Sequence, residues 1–443
     1  MSALSMPMWL QRLPRRRPLF MVLFASLCLM VAIGLRLLNP LTSQPVTPPA
    51  PVELSSQDAI SQLESRLRDN PDDAYAYAQL GLGLLQQVRE SGDVSLYARA
   101  GKAFDEALAR DPKQVDALVG QGILALALHD FPGALEWADK AWAINPFRAQ
   151  ILGIKVDGQV ELGRYDEAVQ TLQKMVDLRP DLDSYSRVSY VRELYGDVDG
   201  AIEAMRSAVQ TALPGSESWA WTLTHLGHLY FNRGDLPEAA SIYEQVLVAK
   251  ANYPYALAGQ ARVAAAQGNT SEAIAIYKQI TERLPLPEFI IALGELYEAT
   301  GQADAARQQY DLVGVIQQLN AAAGMNVDLE MALFTASHGN DPAAAVQQAR
   351  AAYAERPTIY AADTLAWALY QQGEYAEAWQ LSQEALRLGT KDALLHFHAG
   401  MIAAKVGDQE AARTHLQTAL AINPHFSPLY VPVAQEAVTE VTP

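Results

Sequence analysis

Residues 161–180, "ELGRYDEAVQTLQKMVDLRP", hold a helix end, a turn glycine at Gly163, a second amphipathic helix and a proline stop at Pro180. The stretch contains no His, no Cys and no glycine-rich phosphate loop. It reads as a structural unit, and its markers recur along the chain. Turn glycines follow Gly163 at Gly196, Gly234, Gly268, Gly301, Gly339, Gly373 and Gly407, with spacings of 33, 38, 34, 33, 38, 34 and 34. Pro112, Pro146, Pro180 and Pro214 stand 34 apart, and Pro254, Pro285, Pro357 and Pro424 continue the series with insertions. Five residues beyond a turn glycine stands Ala168, Ala201, Ala239, Ala273, Ala306, Ala378 or Ala412. Three markers in one phase define an internal repeat.

Each marker has a physical task. The glycine ends a first helix in a left-handed conformation. Asp235 with Glu238, and Asn269 with Glu272, have the spacing of a capping box that starts a second helix. The alanine lets two antiparallel helices approach, and the proline ends the second helix. Leu223, Leu226, Gly227 and Tyr230 form one buried face, and Ala239, Tyr243, Val246 and Leu247 the face opposite. One hairpin cannot bury both faces alone; stacked copies can.

The series Leu226, Gly227, Tyr230, Ala239, Tyr243, Pro254 resembles the tetratricopeptide repeat. So do Leu293, Gly294, Tyr297, Ala306, Tyr310, and Ala399, Gly400, Ala412, Ala419, Pro424. The resemblance implies an all-α protein: a right-handed α-solenoid of about ten stacked helix-turn-helix repeats over residues 55–427. Departures are His129 at one turn, Ser189 in a position usually held by a smaller residue, and a slipped phase that predicts a kink near 314–330. Residues 55–70 read as an unpaired helix capping the N-terminal end, and 428–443 as a C-terminal tail across the last hairpin.

Half of the 443 residues are apolar, and period-2 strand patterns are scarce. The single cysteine, Cys28, excludes an intrachain disulfide. Residues 1–18 form a short basic segment expected in the cytoplasm. The uncharged stretch Leu19–Leu35 extends with Arg36, Leu37 and Leu38 to a length that spans a bilayer. Arg12, Arg15, Arg16 and Arg17 precede it, which predicts a signal anchor over 19–38 with the repeats outside the cytoplasm, periplasmic or extracellular. A cleaved signal peptide ending near Ala32-Ile33-Gly34 is the rival reading. Residues 39–54, rich in proline, form a spacer. Beyond residue 40 the chain carries 28 basic and 50 acidic residues, a net charge of −22 that speaks against nucleic acid.

The resemblance implies a concave surface lined by the first helix of each repeat, binding a protein or peptide partner. Aligned copies mark Tyr190, Trp221, His228, Phe231, Tyr255, Arg262, Tyr360, Asp363, Trp367 and Tyr370 as the partner-binding stripe. Trp, Tyr and Arg are the usual anchors of such contacts. The competing reading makes these aromatics filling between repeats, as Tyr230, Tyr243 and Tyr310 are expected to be. His225 and His228 lie three apart, but no third ligand completes a metal set. His396 and His398 point to different faces. Gly81-Leu82-Gly83 follows no strand, and Arg233-Gly234-Asp235 is the repeat's turn with its capping Asp. No catalytic constellation and no cofactor site can be read from spacing. The expectation is a membrane-tethered, non-enzymatic interaction scaffold assisting an envelope complex, the alternative a self-assembling structural protein.

Overall fold

The computed structural model describes residues 56–440 apart from residue 327, and for residue 328 its backbone only. The expected basic segment, anchor and spacer all lie outside the described residues. Among the described residues no helix is long and apolar enough to cross a membrane. These residues form 22 helices and no strand.

Helix α1, Ser56–Asp69, stands alone before ten hairpins. The first five are α2/α3 (Ala74–Ser91, Leu96–Arg110), α4/α5 (Val115–Ala127, Phe131–Ile144), α6/α7 (Ala149–Glu161, Tyr165–Leu178), α8/α9 (Leu182–Leu194, Val198–Thr211) and α10/α11 (Glu217–Asn232, Leu236–Ala249). The second five are α12/α13 (Pro254–Ala266, Thr270–Arg283), α14/α15 (Pro287–Ala299, Ala303–Ala322), α16/α17 (Asp328–His338, Pro342–Glu355), α18/α19 (Ile359–Gln372, Tyr375–Ala385) and α20/α21 (Ala393–Val406, Gln409–Ile422). The region expected as a tail contains a further helix, α22, Tyr430–Glu440.

The repeat markers work as their chemistry dictates. Gly163 sits at φ 69°, and His129 takes the same left-handed conformation, φ 60°, where its repeat lacks the glycine. Ala168, Ala201, Ala239, Ala273, Ala378 and Ala412 are completely buried between paired helices. Three markers behave differently. Gly339 has no positive φ, because the phase slip places it against Thr335 at the end of α16. Asn269 makes no side-chain cap; its carbonyl receives the Glu272 N–H instead. Pro254 opens α12 rather than closing α11, as its missing N–H permits.

The slipped region is a break in stacking. Helix α15 has 20 residues, where most second helices have 14, and it packs on α14 but scarcely on α16. Side chains bridge the two hairpins: Tyr310 stacks on His338, and His338 Nε2 lies 3.3 Å from Glu295. Leu312, Val315 and Leu319 are left exposed on one face of α15.

The coil closes on itself. The turn of each of the first five hairpins meets the segment that follows the hairpin five places on. Gly92 lies against Leu284, and the Asn326 N–H donates to Leu128 O at 3.0 Å. Gly163 abuts Pro357, and the Ile359 N–H donates to Tyr165 Oη at 3.0 Å. Arg356 pairs with Glu161, Gly196 abuts the Gly389 carbonyl, and Asn423 Nδ2 donates to Phe231 O at 3.0 Å. Residues bonded across this seam stand 192 to 198 apart in sequence. Ten hairpins thus make two layers of five.

Candidate functional site

A cavity of about 800 Å³ lies where the first helices of three consecutive repeats face the end of the second layer. Helix α10 supplies Trp221, His225, His228 and Phe231; α12 supplies Tyr255 and Arg262; α14 supplies Glu288, Phe289 and Glu295. Arg89, near the end of α2, and the connection between α21 and α22, with Pro424, Phe426 and Pro428, close it. Helical spacing brings the α10 residues to one side: Trp221, His225 and His228 follow at four and three.

The wall is aromatic and dry at its base. Trp221 is 36% exposed and its ring lies 3.8 Å from that of His225. His228 Nδ1 is hydrogen-bonded to Tyr243 Oη at 2.7 Å. Burial pushes His228 well below its usual pKa, so its ring is neutral. Arg262 lies 4.0 Å over the Phe231 ring and reaches Asn232 Oδ1 at 3.3 Å. Tyr255 stands edge-on to Phe289 at 5.7 Å, and burial pushes its hydroxyl up to about 12. Glu217, first in α10, accepts a hydrogen bond from Tyr253 Oη at 3.3 Å.

Of the stripe residues expected from sequence, Trp221, His228, Phe231, Tyr255 and Arg262 come together here. Tyr190 and Tyr360 line a second cavity of about 490 Å³ between the layers, beside Arg356 and Glu161. Three others face the interior instead of a groove. Trp367 is 4% exposed, stacked between Tyr370 at 4.8 Å and His398 at 4.1 Å. Asp363 is buried with His398, Oδ2 to Nδ1 2.8 Å. Tyr370 packs against the same cluster. The cause is α22 and the connection before it: Phe426 and Tyr430 fold back over Phe397 and Trp367 and fill the surface that the stripe would present. Phe231, although it lines the cavity, is itself buried beneath Arg262.

Sequence spacing missed Arg89, Glu288 and Phe426, which reach the cavity through the seam or from outside the stripe register. His225 lay within view and was weighed only as a metal ligand. Its Nδ1 is hydrogen-bonded to Trp221 O at 2.9 Å. Among the described residues no group of three or more His, Cys, Asp or Glu is placed to hold a metal ion.

Family models of the tetratricopeptide repeat match residues 85–149, 225–286 and 260–314 in one case, 358–391 in a second and 159–182 in a third. Human tetratricopeptide repeat protein 13 is 26% identical over 199 residues, covering 43% of this chain and 21% of that protein. Cellulose synthase 1 operon protein C of Komagataeibacter xylinus is 24% identical over 322 residues, covering 71% of this chain and 19% of that protein. The chain therefore spans about a fifth of the length of these curated relatives. Among solved structures, the human IFIT1 dimer with PPP-AAAA is 16% identical, with a TM-score of 0.49, covering 74% of this chain and 77% of that one. The matches at 85–149, 159–182, 225–314 and 358–391 mark tetratricopeptide repeats within an all-α solenoid of paired helices.

Proposed function

We propose that the chain is a non-enzymatic, membrane-tethered scaffold whose repeats lie outside the cytoplasm. It grips an extended segment of a protein partner in the cavity between α10, α12 and α14, and so supports an envelope complex. The observation that carries the reading is the convergence of Trp221, His228, Phe231, Tyr255 and Arg262 on one cavity of about 800 Å³. A volume of this size suits a few residues of extended chain, and aromatic walls with a few polar tips are the usual lining of such sites. The anchor and the location rest on the basic and apolar stretches of residues 1–38.

The test is cross-linked capture from source cells with the full-length chain, beside a Trp221→Ala, Tyr255→Ala variant of equal helicity by circular dichroism. A partner held by the first and lost by the second is expected. The same partners from both would remove the cavity from consideration. Self-assembly is the second reading, favoured by the exposed Leu312, Val315 and Leu319 on α15. It requires sedimentation coefficients that rise with protein concentration and stop rising in Leu319→Glu.

A further inference from the structure

The two ends of the cavity differ in charge. At one end Arg262 already lies over Phe231 and is held by Asn232. At the other, two carboxylates enter from the first turns of first helices two repeats apart: Glu217 opens α10 and Glu288 is second in α14. Tyr255, second in α12, stands between them and feels the charge of both. Phe289 stands edge-on to Tyr255, and Trp221 lines the same cavity one helical turn beyond Glu217.

Helix dipoles account for acidic residues in first turns. They do not account for the three aromatic rings, Trp221, Tyr255 and Phe289, that line the same cavity as those residues. Glu288 keeps contact with solvent, yet partial desolvation raises its carboxyl above its usual pKa, against the pull of its own backbone N–H. Glu217 has a neutral partner, the Tyr253 hydroxyl. Glu295, deeper in the cavity, is engaged by His338. Arg89 also acts on Tyr255, yet among the described residues its side chain bonds to Gln86 and forms no ion pair with either carboxylate. A cation set between aromatic faces and carboxylates gains from both.

We infer that Glu217, Tyr255 and Glu288, with Trp221 and Phe289 around them, form a subsite for a lysine or arginine side chain of the bound peptide. The partner segment is thus basic, as the net charge of −22 beyond residue 40 also favours by steering. This rests on the reading of the cavity as a peptide site.

The experiment is selection of a random-peptide display library on the immobilised full-length chain, with Glu288→Gln selected in parallel. Peptides with Lys or Arg at one fixed position are expected from the native chain and not from the variant. A selected lysine peptide should bind about tenfold more tightly than its norleucine counterpart, a difference that Glu288→Gln removes. Binding peptides without a basic residue, or a lysine preference unchanged in Glu288→Gln, would overturn the subsite and leave the peptide site standing. A native chain that selects no peptide at all would overturn both.

Discussion

Tyr243 shows how much a single position carries. It is fully buried, its ring is packed against Gly227 of its own repeat and Gly259 of the next, and its hydroxyl bonds to His228 on the cavity wall. The core thereby orients the site. A second residue-scale device is His396, whose Nδ1 lies 3.0 Å from His415 Nδ1. Burial, then the neighbouring His415, hold its pKa down to about 4, from 6.5. Between those values the unfolded chain takes up a proton that the folded chain refuses. The stability His396 lends is therefore present above about pH 6.5 and is lost as pH falls through 4. Urea midpoints of the native chain should fall more steeply over that window than those of His396→Gln. Glu193, pushed up to about 7 by burial, works in the opposite direction, and the comparison cancels it because both chains keep it. Parallel midpoints in the two proteins would remove His396 from the account.

At the scale of the element, the helical hairpin was legible because its chemistry is local. Gly163 turns, Ala168 admits the partner helix and Pro180 stops it, all within 18 residues. Ala168→Leu should overpack α6 against α7 and cost about 1–3 kcal/mol, read by chemical denaturation. A change under about 0.5 kcal/mol would mean that the pair has slack to absorb it. Legibility failed where local signals compete. Pro428 and Pro432 disfavour a long helix after residue 427, and the structure keeps α22 to 11 residues, beginning between the two prolines. That short helix is enough to cover Trp367 through Tyr430. The register that sets His228 on the cavity wall thus sets its counterpart Trp367 beneath that helix. A repeat pattern shows which helix face points inward, not what lies on top of it.

The seam belongs to the whole molecule, and no periodicity announces it, since its partners stand 192 to 198 residues apart. It divides the turn glycines into two classes. All but Gly339 hold a left-handed backbone, so alanine strains each of the others by about 1–2 kcal/mol. A methyl group on Gly163 or Gly196 would also run into the carbonyl of Pro357 or Gly389, whereas on Gly268 or Gly373 it meets nothing within 4 Å. Gly163→Ala and Gly196→Ala should therefore cost about 1–3 kcal/mol more than Gly268→Ala and Gly373→Ala. Equal losses in denaturant titrations of the four variants would argue that the layers do not touch in solution.

A solenoid whose repeats touch only their neighbours behaves as a one-dimensional chain, able to nucleate anywhere and to fray from either end. Here the last hairpin is stitched to the fifth through Asn423 and Phe231, and the eighth to the third through Arg356 and Glu161. Such distant pairings raise the contact order, and loop closure must be met before they reward it. The array then has no free zipper end in its second layer: that layer folds late, onto a completed first layer, and melts with it as one cooperative block.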